Sequence, residues 1–147
     1  MRIVAIDSGL TVGWARFDGG CGEWPLAGDA DPMALFHAYR LALADLLAEY
    51  RPAVVIVEQC FFGRVPHADV TIAAAFAAHE TAWLYECRRA EMTAKQVRAH
   101  HWQAHKPTDR HRIAMANRLG WPALTDHAAD AALLLRAWQQ RQEAAAA

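Results

Sequence analysis

The chain has 147 residues, 54% of them hydrophobic and 21% charged, with a formal net charge of −1. That is enough apolar material for one packed domain and excludes a disordered tail. No apolar run reaches the roughly 18 residues that a membrane span needs, and Arg2 and Asp7 flank a run too short for a secretory signal.

The near-neutral total hides an asymmetry. Residues 1–87 carry five Lys/Arg against eleven Asp/Glu, whereas residues 88–118 carry eight (Arg88, Arg89, Lys95, Arg98, Lys106, Arg110, Arg112 and Arg118) against Glu91 and Asp109. A local basic segment is the footprint of phosphate binding, and is equally compatible with a solvated helix face. Cys21, Cys60 and Cys87 are odd in number and far apart, so they read as reduced thiols of a cytoplasmic protein.

The opening RIVAID, residues 2–7, predicts a strand, and TVGWARF, residues 11–17, a second after a turn at Ser8-Gly9. Gly19-Gly20 turns the chain into a short third strand near Gly22–Pro25, so the start is an antiparallel meander. Asp31-Pro32 is an N-cap followed by Pro at the first helical position, and Leu35, Phe36, Tyr39, Leu43, Leu46 and Leu47 recur at helical spacing up to Tyr50. After Pro52, AVVIV (53–57) is a β-branched run typical of a strand buried on both faces, and it ends on Glu58.

An alanine-rich helix is expected over Ala68–Arg88, with Ile72, Phe76, His79 and Trp83 at core-packing spacing. It is followed by a short strand at Glu91–Thr93 and helices at Ala94–His101 and Asp109–Leu119. Gly120-Trp121-Pro122 breaks the chain before a last helix, Asp126–Gln142, and residues 143–147 read as a frayed tail. The expected fold is a single α/β domain over residues 1–142. It has three layers, with a mixed five-stranded sheet, strands one and four parallel through a helical crossover, and helices on both faces.

Asp7 ends the first strand and Glu58 the fourth. Parallel neighbours lie about 4.8 Å apart, so the two carboxylates would meet at one sheet edge and repel. A divalent cation resolves that conflict. The last helix begins TDHAADAALLL, which puts His127 and Asp130 on one face and Asp126 and Asp130 on one face. Asp126, with Thr125, also fits an ordinary N-cap. Acids and an imidazole in this pattern suggest metal-dependent phosphodiester hydrolysis. His100, His101 and His105 have zinc-compatible spacing, but no Cys is near, so phosphate or solvent contact is the expected role.

IDSGLTVGWA, VEQCFF and DHAADAALL, in this order and over residues 2–138, together resemble RuvC-type Holliday-junction resolvases, members of the RNase H-like nuclease superfamily. The resemblance implies that Asp7, Glu58, His127 and Asp130 are catalytic and hold two divalent cations, Mg2+ or Mn2+, with Asp126 the alternative to His127. An imidazole in a set that is most often all-carboxylate favours Mn2+. It also implies DNA contacts. Phe61 or Phe62 would stack at the junction and Arg64 lies beside them; Arg98 and Arg110 stand where the family uses two lysines, with Lys95, Lys106 and Arg112 nearby.

The implied activity is symmetric nicking of four-way DNA by a homodimer built on the alanine-rich helix. A branch-migration helicase is a further candidate partner. The expected place is the cytoplasm of a bacterial cell or phage-infected host, at the nucleoid. Rival readings are an RNase H-like nuclease acting on structured RNA or RNA–DNA hybrid, a non-catalytic junction-binding module, and an actin/hexokinase-type phosphotransferase. The last rests on Asp7, Gly9 and Thr11 alone and lacks a second phosphate loop.

Overall fold

The computed structural model of the chain describes residues 1–59, 67–102 and 107–147. Phe61, Phe62, Arg64, Lys106, Cys60 and His105 lie outside these residues. Strands β1 (Ile3–Asp7), β2 (Thr11–Arg16) and β3 (Cys21–Pro25) form the expected meander. Helix α1 (Pro32–Tyr50) then crosses over to β4 (Val54–Gln59). The Asp31 side chain accepts a hydrogen bond from Met33 N at 3.2 Å, and Arg51 closes the helix in the left-handed region, with φ of 49°. The crossover makes β4 parallel to β1, with Ile3 opposite Val54 and Ile6 opposite Val57. Helix α2 (Ala68–Leu84) returns the chain to β5 (Arg88–Thr93), parallel to β4, and the sheet order is β3-β2-β1-β4-β5.

Alternate residues of the central strands enter two cores, because successive side chains point to opposite faces. Val4, Ile6, Val55 and Val57 pack under α1 and α2. Ile3, Ala5, Val54 and Ile56 pack under α5 (Asp126–Ala146), where α4 (Asp109–Arg118) contributes Ala116 and α3 (Ala94–Trp102) adds Val97. The three-layer, mixed five-stranded plan read from the sequence is the one observed.

Three expectations are corrected. In α2 the face that packs is Ala74, Ala75, Ala77, Ala78, Thr81 and Ala82, while Phe76 is 65% and Trp83 64% exposed. Small side chains bring α2 close to the sheet and to α1, where Tyr39 donates a hydrogen bond to the Ala74 carbonyl at 3.1 Å. The same helix ends earlier than expected and β5 starts earlier. Glu86 turns the chain at φ of 57°, and the ladder with β4 takes up Arg88 opposite Val54. Finally, α5 runs to Ala146 where a frayed tail was expected, because its last residues are alanine, the strongest helix former.

Helix α5 passes close over β2 at Gly13. A Cβ on Gly13 would lie 1.9 Å from the His127 carbonyl oxygen. Gly13 is also the partner of Asp7 in the β1·β2 ladder, so this contact seats the first turn of α5 beside the end of β1. Gly13→Ala must therefore push α5 outward. The expected loss is about 3 kcal/mol of stability, read as a lowered midpoint in urea unfolding. An unchanged midpoint would show that the first turn of α5 yields freely.

Candidate active site

Asp7 and Glu58 meet at the carboxyl-end edge of the sheet, as the ends of adjacent parallel strands must. Asp7 is buried and its carboxyl is hydrogen-bonded to that of Glu58. Burial pushes the Asp7 carboxyl well above its usual range, and the hydrogen bond to Glu58 and the charge of Glu58 push the same way. His127 and Arg112 pull it down without reversing the outcome. Next to it, the Ser8 hydroxyl is buried with no hydrogen-bond partner among the described residues.

Helix α5 delivers the other acids. Its N-cap is Thr125, whose hydroxyl accepts from Ala128 N at 3.3 Å. Asp126 is thus released from the capping role that the sequence also allowed. Its carboxylate lies 3.4 Å from Arg112 Nη2 and 3.9 Å from His127 Nε2. Asp130, one turn on, is pushed up to about 7, first by burial and next by the charge of Asp7; Arg112 opposes this.

Arg112 of α4 is the centre of this group. Its Nη1 donates to Asp130, and its Nη2 donates to Asp109 at 2.5 Å and reaches Asp126. Burial works against the guanidinium charge, but the hydrogen bond to Asp109 and the fields of Asp130 and Asp126 outweigh it and raise its pKa.

A cleft of about 360 Å³ opens beside these residues, lined by Glu58, Asp130, Arg112, Arg98, Trp102 and Leu134 among others. Of the basic residues singled out in the sequence, Arg98 and Arg112 are at this cleft. Lys95 and Arg110 are on exposed surfaces of α3 and α4 and do not line it among the described residues. His101 hydrogen-bonds the Leu133 carbonyl at 2.9 Å, and His100 contacts Gln140, so both histidines tie α3 to α5.

No protein-family model and no curated protein sequence matches the chain. Among solved structures, the chain is similar to RuvC of Thermus thermophilus in complex with a Holliday junction substrate. The TM-score is 0.77, at 20% identity over 97% of this chain and 96% of that one. A second structure, Thermus thermophilus RuvC, gives a TM-score of 0.67 at 19% identity, covering 97% of each chain. The fold is that of RuvC. The likeness covers nearly the whole chain, so both cores belong to that fold.

The donors in this RuvC-like edge suit a divalent cation in type: two paired carboxyls, a third on α5, an imidazole, and a buried hydroxyl without a partner. As arranged, no three His, Cys, Asp or Glu side chains among the described residues converge around one point. The positive charge that the acids require comes from Arg112 instead. Two residues that position the site carry only faint signals in the sequence. Arg112 stands among the cations of a basic segment, and its spacing of three from Asp109 is the one mark of a helical ion pair. Gly13 is marked only as a glycine inside a strand, the sign of close backbone approach.

Asp7 and Asp130 hold their protons more tightly in the folded protein than in the unfolded chain. The site therefore costs stability increasingly as pH rises above about 4, for Asp130 through about 7. In EDTA at about pH 7.5, Asp7→Asn should melt a few degrees above wild type, and the gap should close near pH 4.5. A variant that melts lower at both pH values would mean that the Asp7 charge is stabilising.

Proposed function

We propose that the protein is a structure-selective endodeoxyribonuclease that resolves four-way DNA junctions by metal-dependent phosphodiester hydrolysis. The observation that carries this is the gathering of Asp7, Glu58 and Asp130, with His127 alongside, at one edge of a RuvC fold that spans almost the whole chain. The similar structure in complex with a Holliday junction substrate supports the choice of branched DNA over other nucleic acids. Asp7, Glu58, His127 and Asp130 would hold two divalent ions, Mg2+ or Mn2+. When bound, such ions activate water and stabilise the leaving oxygen of an in-line displacement.

The residues of the chain divide the remaining work. Gly13 holds α5 against β2 and so keeps Asp130 beside Asp7. Arg98, exposed at the mouth of the cleft, offers a bidentate grip on a backbone phosphate. Trp102 gives the cleft an aromatic wall, and stacking on such a ring tolerates any base.

A homodimer supplies two such sites for two symmetry-related strands. The outward face of α2 suits this role. Phe76 and Trp83 stand exposed beside Arg88, Arg89 and Glu91 around a shallow groove, a combination of apolar area and mixed charge that a second copy would cover. A branch-migration helicase is a further proposed partner.

Asp7→Asn should bind a synthetic four-way junction with unchanged affinity and cut it about a thousandfold more slowly or worse in Mn2+. Gel-shift and cleavage assays on the same labelled junction check both halves. Undiminished cutting, or equal cutting of linear duplex or structured RNA by wild type, would defeat the proposal. Trp83→Asp should sediment as a monomer and leave unpaired nicks; a wild-type dimer with paired nicks would remove α2 from the interface.

A further inference from the structure

We infer that Arg112 is a built-in counter-cation of the acid cluster, and that it lowers the affinity of the DNA-free protein for divalent ions. The inference rests on the proposed nuclease reading and deepens it. Its guanidinium already donates to Asp130 and Asp109 and reaches Asp126. Arg112 Nε is buried without a hydrogen-bond partner among the described residues, so the group is held by the carboxylates at its two Nη atoms. Meanwhile, no three acidic or imidazole side chains among the described residues converge around a common point. A divalent ion and this guanidinium want the same oxygens of Asp130. One must give way, because an arginine stays charged at any working pH and cannot retire by losing a proton.

The cleft shows where it would go. Arg112 and Arg98 line one cavity with Glu58 and Asp130, and Arg98 is exposed there. A backbone phosphate offers the guanidinium the same paired acceptors that a carboxylate does. DNA arriving in the cleft would draw Arg112 from Asp130 and leave that carboxylate to an ion. Ion uptake and DNA binding are then coupled, each favouring the other.

The test is a Mn2+ titration of DNA-free protein, followed by the electron paramagnetic resonance signal of the free ion, for wild type, Arg112→Gln and Arg112→Lys. Circular dichroism checks that each is folded. Arg112→Gln should bind Mn2+ about tenfold more tightly or better than wild type. Arg112→Lys, which keeps the charge but cannot span the carboxylates, should fall between, and it gives the same reading should the glutamine variant not fold. Equal or weaker binding in the variants, with ions bound by wild type, overturns the inference alone. Absence of bound Mn2+ in every protein overturns the inference and the nuclease reading together.

Discussion

Two carboxyls are forced together at the ends of β1 and β4. The two strands are hydrogen-bonded neighbours running in the same direction, so Asp7 and Glu58 end at one edge, about one strand spacing apart. Burial of Asp7 makes this costly: together with Glu58 it pushes the Asp7 carboxyl well above its usual range, and the Arg112 guanidinium in the neighbourhood pulls the other way. The other features of the edge follow from this conflict. The charge of Asp7 raises Asp130 in turn, and Arg112 binds the outer acids.

Packing decides which residues can take part. Ala128, Ala129, Ala131 and Ala132 line the buried face of α5, and Gly13 carries no side chain where β2 passes the His127 carbonyl. A larger residue at any of these places would lift α5 and carry Asp130 away from Asp7. On the opposite layer the same device is used differently. The alanine face of α2 sinks toward the sheet, and its large residues are turned outward. The small residues therefore serve both the proposed catalytic edge and the proposed dimer face.

Much of this was legible in the sequence because local signals agreed with the global plan. Asp31-Pro32 marked the start of α1, the β-branched run marked a central strand, and the helical crossover made β1 and β4 parallel, which placed Asp7 beside Glu58. Helical spacing in α2 did not reveal which face is buried. Alanines and large apolar residues both repeat with helical period there, and only the short distance to α1 and the sheet selects the alanines. Asp126 looked like a cap because Thr125, one residue earlier, competes for the same role. Arg112 looked like one more cation in a basic segment. Its partners on α5 are 14 and 18 residues away in sequence, and only the packing of α4 on α5 joins them. The aromatic pair Phe61 and Phe62 lies outside the described residues.

The central proposal is that the acid edge is a cation site that Arg112 partly satisfies in the absence of DNA. Anomalous diffraction from crystals of the protein grown in Mn2+ with an uncut four-way junction tests this most directly. Manganese peaks are expected between Asp7, Glu58 and Asp130, with Arg112 turned from Asp130 toward a phosphate. Manganese bound elsewhere, or an Arg112–Asp130 pair that persists at saturating Mn2+ with DNA in the cleft, would contradict it.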